Sequence, residues 1–318
     1  MGTVSGANTR RYHGHLVVSD DDLNRTVLLY NLEAWVRVDG QSFELSTQQY
    51  DGAIHPEGYK NLELFDIDVG TIWRFQHIEK RMSFDPTSSD LVITYKNITK
   101  SKLQIYLRPL VCHKPYHADF VANDDYPASI EHLADSTSIA DGSLTLKIEH
   151  PGATWMPFAG WYYRFEHQRE LERGLSGYQD AFCPCELQYE VEPGNIIELR
   201  MSCPELSRQN EPNLPDNIVF KGSVPTIVAG YPWFTDWGRD TMISIPGLLL
   251  PDHHEIAVAI LRHYRSQIFQ GLIPNRAVET GERDYNTADA TLWFAHAIHQ
   301  VLLAQWDLKF ARDRKSVV

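Results

Sequence analysis

From its first residues to about residue 210 the chain is a succession of short runs rich in β-branched and aromatic residues, separated by turn dipeptides. No helical period takes over anywhere in that length. Thr26–Tyr30, Ala34–Val38, Gln41–Leu45, Thr71–Phe75, Leu91–Tyr95, Leu103–Leu110, Ser143–Ile148, Trp161–Phe165 and Ile196–Met201 each read as a strand. Asp39-Gly40 between two of them predicts a tight hairpin, because such a turn needs positive φ at its centre. Many strands without interleaved helices predict an antiparallel arrangement, most simply two packed sheets: a β-sandwich over residues 1–210. His113–Tyr126 and His167–Tyr178 are polar and read as long loops or a short helix.

Beyond a polar stretch, Glu205–Pro215, that reads as a linker, the period changes. Ile256, Ile260, Tyr264 and Ile268, with Ala257 and Leu261 alongside, make one apolar stripe on a helix. Asp252 and Glu255 in front of them have the form of a capping box. A second helix, capped by Asn286 or Thr287, carries Leu292, Phe294, Ala295, Ile298, Val301 and Leu302. Pro246 should kink or end the helix that follows Thr241. Residues 211–318 thus form a separate helical domain.

The two halves meet near Tyr231-Pro-Trp-Phe-Thr-Asp-Trp-Gly-Arg-Asp-Thr241, which packs four aromatic rings, two aspartates and an arginine into eleven residues. Such a mixture suits a sugar, whose CH faces stack on aromatic rings and whose hydroxyls need polar groups at fixed positions. The bland alternative is an Arg-Asp ion pair that only fixes a helix start. Gly238 suggests close backbone approach or an unusual dihedral, and Asp240 is a plausible helix cap. Trp293 and Trp306 read as core.

Net charge is −13, with 43% hydrophobic and 22% charged residues. That balance argues against nucleic acid or an anionic membrane as partner and is compatible with a neutral polymer. No apolar run approaches spanning length and no signal-peptide core is present, so a cytoplasmic location is expected. Cys112, Cys183, Cys185 and Cys203 are too sparse for a disulfide scaffold. Cys183-Pro-Cys185 lacks the two-residue spacer of common metal pairs, and no metal site is expected. Asn97-Ile-Thr99 fits a glycosylation acceptor and is expected to be coincidental. In Asn8–Gly14, Arg10, Arg11 and His13 could reach a substrate; the favoured reading is a turn whose arginines bind carbonyls.

The run WFTDWGRDTMISIPGLLL, followed by GLIPN and YNTADATLWF, resembles the amylo-α-1,6-glucosidase family, the glucosidase part of glycogen debranching enzymes. The opening SGANTRRYHG resembles the N-terminal domain that precedes this module in bacterial members. The resemblance implies a β-sandwich followed by the truncated start of an (α/α)6 toroid. The chain is then expected to be a piece of a longer gene, and Asp313–Val318 resembles translated sequencing-adapter read-through.

Glycoside hydrolysis needs a carboxylic acid and a second carboxylate, about 6.5–9.5 Å apart in inverting enzymes. The helical segment offers Asp236, Asp240, Asp252, Glu255, Glu279, Glu282, Asp284 and Asp289, and residue type alone selects no pair. The resemblance implies that acid and base lie on later helix connections, beyond Val318. It also implies that Arg239 and Asp240 grip the terminal glucose, with Arg239 orienting Asp240 and Trp237 as neighbour. Asn286 and Asp289 would extend the sugar-binding wall, and Asn275 of GLIPN would contribute beside them. The implied activity of the whole protein is hydrolysis of the α-1,6-linked glucose of a limit dextrin by inversion, on glycogen or another α-glucan, without cofactor. The isolated piece should be inactive. Rivals are another α/α-toroid hydrolase or phosphorylase acting on α-glucans, and a non-catalytic glycan-binding module.

Overall fold

The computed structural model describes residues 2–20, 23–67, 70–206, 218–221, 223–230, 234–250, 253–277 and 283–304. They fall into two compact units, one of 1–19 with 25–210, the other of 20–24 with 211–318.

The first unit is almost entirely β. It opens with β1 (Leu16–Ser19), β2 (Arg25–Val38), β3 (Gln41–Glu44), β4 (Thr47–Tyr50), β5 (Ala53–Glu57), β6 (Leu62–Asp66), β7 (Thr71–Phe75) and β8 (Ile78–Phe84). Then come β9 (Leu91–Asn97), β10 (Leu103–Pro115), β11 (Ser129–Leu133), β12 (Ser136–Asp141), β13 (Leu144–Glu149), β14 (Thr154–Glu166), the single helical turn α1 (Gln168–Leu171), β15 (Tyr178–Val191) and β16 (Ile196–Ser202). One eight-stranded sheet runs β1, β2, β10, β15, β14, β4, β5, with β3 also on β2; the other runs β11, β12, β13, β16, β9, β8, β7, β6. Their pairings are antiparallel.

Period-2 alternation gives each sheet an apolar face, and the two faces share one core. Leu28, Val36, Ile105, Leu107 and Leu187 of the first sheet cluster with Ile78, Ile93, Tyr95, Leu146 and Leu199 of the second. Each such side chain contributes roughly 1.5–3 kcal/mol on burial. The expected β-sandwich is therefore the architecture of this unit. Asp39 and Gly40 take φ of 48° and 80°, the positive pair that the hairpin from β2 to β3 requires.

Several local expectations change. Thr26–Tyr30 and Ala34–Val38 belong to the single strand β2, whereas the segment 167–178 holds the short helix α1, in keeping with its reading. The central strand β15 carries Pro184, which sequence reasoning assigns to edges. The register shifts on both sides of it, between Leu107 and Val111 on β10 and between Pro157 and Gly160 on β14, so the ladder is already irregular where the proline lies.

Asn97 is fully buried. Its amide donates to the Ser101 and Val191 carbonyls at 2.9 Å each and accepts from the Thr99 amide and hydroxyl at 2.9 and 2.8 Å. The Asn-Ile-Thr pattern is a turn clasp. In the Asn8–Gly14 loop, Arg11 donates to the His117 and Ser176 carbonyls at 2.9 and 2.7 Å, and Arg10 lies 3.7 Å from the buried Glu170. His13 accepts from the Thr9 amide at 3.1 Å. Arg11 binds carbonyls as the turn reading expects, whereas Arg10 faces a carboxylate instead.

The second unit contains the hairpin β17 (Ile218–Lys221) and β18 (Val224–Ile227), then α2 (Gly238–Leu248), α3 (His254–Ser266), the two-residue strands β19 (Arg276–Ala277) and β20 (Arg283–Asp284), and α4 (Asp289–Ala304). Met242 and Ile245 of α2, Ala257, Ile260, Leu261 and Tyr264 of α3, and Ala290, Phe294, Ala297 and Val301 of α4 form its core with Ile218, Ile227 and Ile273. Ala257, Ile260, Leu261 and Tyr264 of the predicted stripe are buried, while Ile256 is half-buried and Ile268 lies past the end of α3. Pro246 ends α2 two residues later, at Leu248. Among the described residues no helix is long and apolar enough to cross a membrane.

Helix starts differ from expectation. Trp237, in extended conformation, is the N-cap of α2, and Asp240 sits inside the first turn, where the helix dipole favours its charge. The N-cap of α3 is His253; Asp252 lies outside the described residues. Helix α4 begins at Asp289, and Asn286 uses its side chain upstream. Trp293 is 37% exposed, so it is no core residue, while Trp306 lies outside the described residues.

Candidate functional site

The aromatic-acidic motif leads into α2 through a chain that folds back on itself. Val228 bridges Asp236, and the Ala229 amide donates to the Thr235 carbonyl at 2.9 Å. Asp236 is buried and held by the Thr226 hydroxyl at 3.3 Å and the Lys221 ammonium at 3.7 Å, which makes it a turn anchor. Phe234, 47% exposed, meets Trp237 edge to face at 5.3 Å. Tyr231, Pro232 and Trp233 lie outside the described residues.

The position of the α2 start depends on Gly238. A Cβ there would stand 2.2 Å from the Pro274 carbonyl oxygen, so only glycine lets α2 start against the segment 273–276. The Gly238 amide donates to the Asn275 carbonyl, at 2.6 Å, and the Arg239 amide faces the Asn275 side-chain oxygen at 3.4 Å. Asn275 is 3% exposed and its own amide donates to the Asp284 carbonyl at 2.7 Å. Two free amides at a helix start are thereby satisfied from a neighbouring loop. Trp237 bridges Arg276, whose guanidinium lies 5.8 Å over its ring and 3.7 Å from Asp284. Asn286 donates to the same Asp284 carboxylate at 2.9 Å.

The centre of the arrangement is a fork. Arg239 Nε lies 2.8 Å from one oxygen of Asp289, and Nη2 donates to the other at 3.0 Å. The two side chains are 41% and 47% exposed, so the pair adds only about 0.2–1 kcal/mol to stability. Its effect is positional: it presents guanidinium and carboxylate together beside the first turn of α2. The orienting partner of Arg239 is accordingly Asp289, in place of the adjacent Asp240. The Asp240 carboxylate has no hydrogen-bonding or ion-pairing partner among the described residues, and its backbone carbonyl accepts from Ser244 at 2.8 Å.

Beneath this, Thr241 and Tyr264 share a buried contact at 3.4 Å between hydroxyls, and burial raises the Tyr264 pKa. Trp237, Arg239, Asn275, Asn286 and Asp289 therefore join one network at the starts of α2 and α4, with Asp240 next to it. Sequence reasoning missed Arg276, and it offered Asp284 only as one of eight candidate carboxylates; together they tie the loop to Trp237 and Asn286. The arginine directly following GLIPN was the available signal. Glu255 is exposed on the first turn of α3; Glu279 and Glu282 lie outside the described residues.

Residues 1–198 match the family model described as glycogen debranching enzyme N terminal. The chain belongs to the glycogen debranching enzyme family. Residues 203–318 of this debranching-enzyme chain match the family model described as amylo-alpha-1,6-glucosidase. Comparison with curated proteins gave no match. Among solved structures, a polysaccharide lyase is 10% identical with a TM-score of 0.28, over 89% of this chain; the chain spans 60% of that protein's length.

Proposed function

We propose that this chain is the N-terminal sandwich (1–210) and the opening of an (α/α)6 glucosidase domain (211–318) of a cytoplasmic enzyme that removes the α-1,6-linked glucose of a limit dextrin. In this reading the starts of α2 and α4 hold the terminal glucose. Asp240 accepts sugar hydroxyls, the Arg239–Asp289 fork donates and accepts beside it, and Trp237 offers a ring edge. Charge-assisted hydrogen bonds that tighten as the sugar ring flattens favour the transition state over the ground state. The acid and base lie outside this chain, and the reaction inverts.

The observation that supports the reading is that the half-exposed Arg239–Asp289 fork stands at the helix start where Asp240 has no partner among the described residues. A solid core would have closed over both. The test is hydrolysis of limit dextrin by a complete gene product carrying these residues, with Asp240→Asn alongside. The expected result is glucose release by the parent and a drop of roughly a hundredfold in the variant. Tight oligosaccharide binding by the 318-residue chain alone, with no hydrolysis by the complete protein, would instead indicate a glycan-binding module.

A further inference from the structure

The first unit contains a small polar cavity remote in sequence from the glucosidase motifs. Its volume is about 30 Å3, and His15, Lys80, Trp73 and the hydroxyl-bearing Thr3, Ser46 and Thr47 line it. Alternation along β8 sets Lys80 on the same face as the core residues Ile78 and Met82, opposite Tyr95 in the register. The ammonium therefore points inward. It lies 5.2 Å from the Trp73 ring and 5.9 Å from the Tyr95 ring, and among the described residues no carboxylate is within ion-pair distance.

His15 enters the same space from the turn before β1. It is 8% exposed, and among the described residues neither ring nitrogen has a hydrogen-bond partner. The N-terminal turn lies beside the cavity, closed by bonds of 2.9 Å from the Thr3 amide to Ala7 and from the Gly6 amide to Thr3. It is fastened by Trp73, which donates to the Val4 carbonyl at 2.9 Å, and by Asn31, which donates to the Gly6 carbonyl at 3.3 Å.

Lys80 is half-buried, and an ammonium drawn partly out of water without a counter-charge is disfavoured. The two aromatic faces offset only part of that cost. Water could satisfy His15 but would leave the charge uncompensated. The volume suits one or two water-sized bodies and excludes a sugar or a phosphate ester. We propose that this cavity binds one small inorganic anion of halide size, held between the Lys80 ammonium and a His15 ring N–H. Burial brings the Lys80 pKa down to about 8, and burial followed by the Lys80 charge lowers that of His15; a bound anion opposes both shifts.

The probe is bromide, applied to the whole 318-residue chain. Thermal midpoints are compared in sodium bromide and sodium gluconate at equal ionic strength, with Lys80→Met alongside, and anomalous scattering is collected from bromide-grown crystals. The expected result is a saturable rise of a few degrees in bromide that Lys80→Met abolishes, and a bromide peak within hydrogen-bond distance of Lys80 Nζ. Equal midpoints in the two salts, or a cavity holding water alone in bromide, would overturn the assignment. The diffraction arm needs no variant, so it decides the matter even if Lys80→Met fails to fold.

Discussion

Arg239 meets Asp289 side-on, Nη2 donating to one carboxylate oxygen at 3.0 Å and Nε in ion-pair contact with the other at 2.8 Å, so the first turns of α2 and α4 are tied together. A lysine cannot reproduce that geometry, having one point charge in place of a planar fork. Arg239→Lys in the complete enzyme should lower kcat/KM by roughly ten- to a hundredfold. Because the pair is half-exposed, the unfolding midpoint should move little. Steady-state kinetics with a thermal melt of the same sample checks both halves, and a large loss of stability with intact kinetics would contradict the assignment.

Gly238 stands against the Pro274 carbonyl so closely that no side chain fits. Gly238→Ala should force α2 away from segment 273–276 and destabilise the second unit by about 1–3 kcal/mol. Urea unfolding followed by tryptophan fluorescence would show it. An unchanged midpoint would mean that the helix start yields easily.

Burial, followed by the nearby Lys114 charge, brings His167 down to about 3, and burial brings His13 down to about 4. Both values lie below the unfolded one of about 6.5, so between these limits the unfolded chain binds more protons than the folded one. The stability due to the neutral rings is complete above about pH 6.5 and is lost as pH falls toward 4. For His167 the slope approaches about 1.4 kcal/mol per pH unit. Urea midpoints at pH 7, 6 and 5 should fall accordingly, and His167→Gln should flatten the trend; equal slopes for parent and variant would exclude His167 as a source.

All four cysteines are buried and unpaired. Burial pushes Cys112 and Cys185 up to about 12 and Cys203 to about 11, and it raises Cys183 as well. At pH 8 a thiolate-directed reagent should therefore label none of them in the folded chain and all four after denaturation, as counted by mass spectrometry. Rapid labelling of the native chain would show that the strands around β15 open readily.

The sandwich was legible because alternation and turn dipeptides are local signals. Asp39-Gly40 announced its hairpin, and the α3 stripe announced its buried face. Strand β15 was not legible, since Pro184 argues against a central strand and only the register shifts of its neighbours, distant in sequence, accommodate it. The site divides the same way. The family resemblance marked Trp237, Arg239 and Asp289 individually, and residue type marked Gly238 as a point of close approach. The partner of Arg239 lies fifty positions away, whereas the sequence offered only the adjacent Asp240. Arg276 had only its place after GLIPN as a signal and Asp284 only its residue type, and neither shows its role until the loop between α3 and α4 brings them beside Trp237.

Helix α4 buries Phe294, Ala297 and Val301 on one side and leaves Leu292 72% and Leu303 68% exposed on another, with Leu250 after α2 at 89%. Leucines left in water to this degree favour association with other apolar surfaces. Concentrated solutions of this polypeptide should cloud and self-associate through these leucines, and mild detergent should keep them clear.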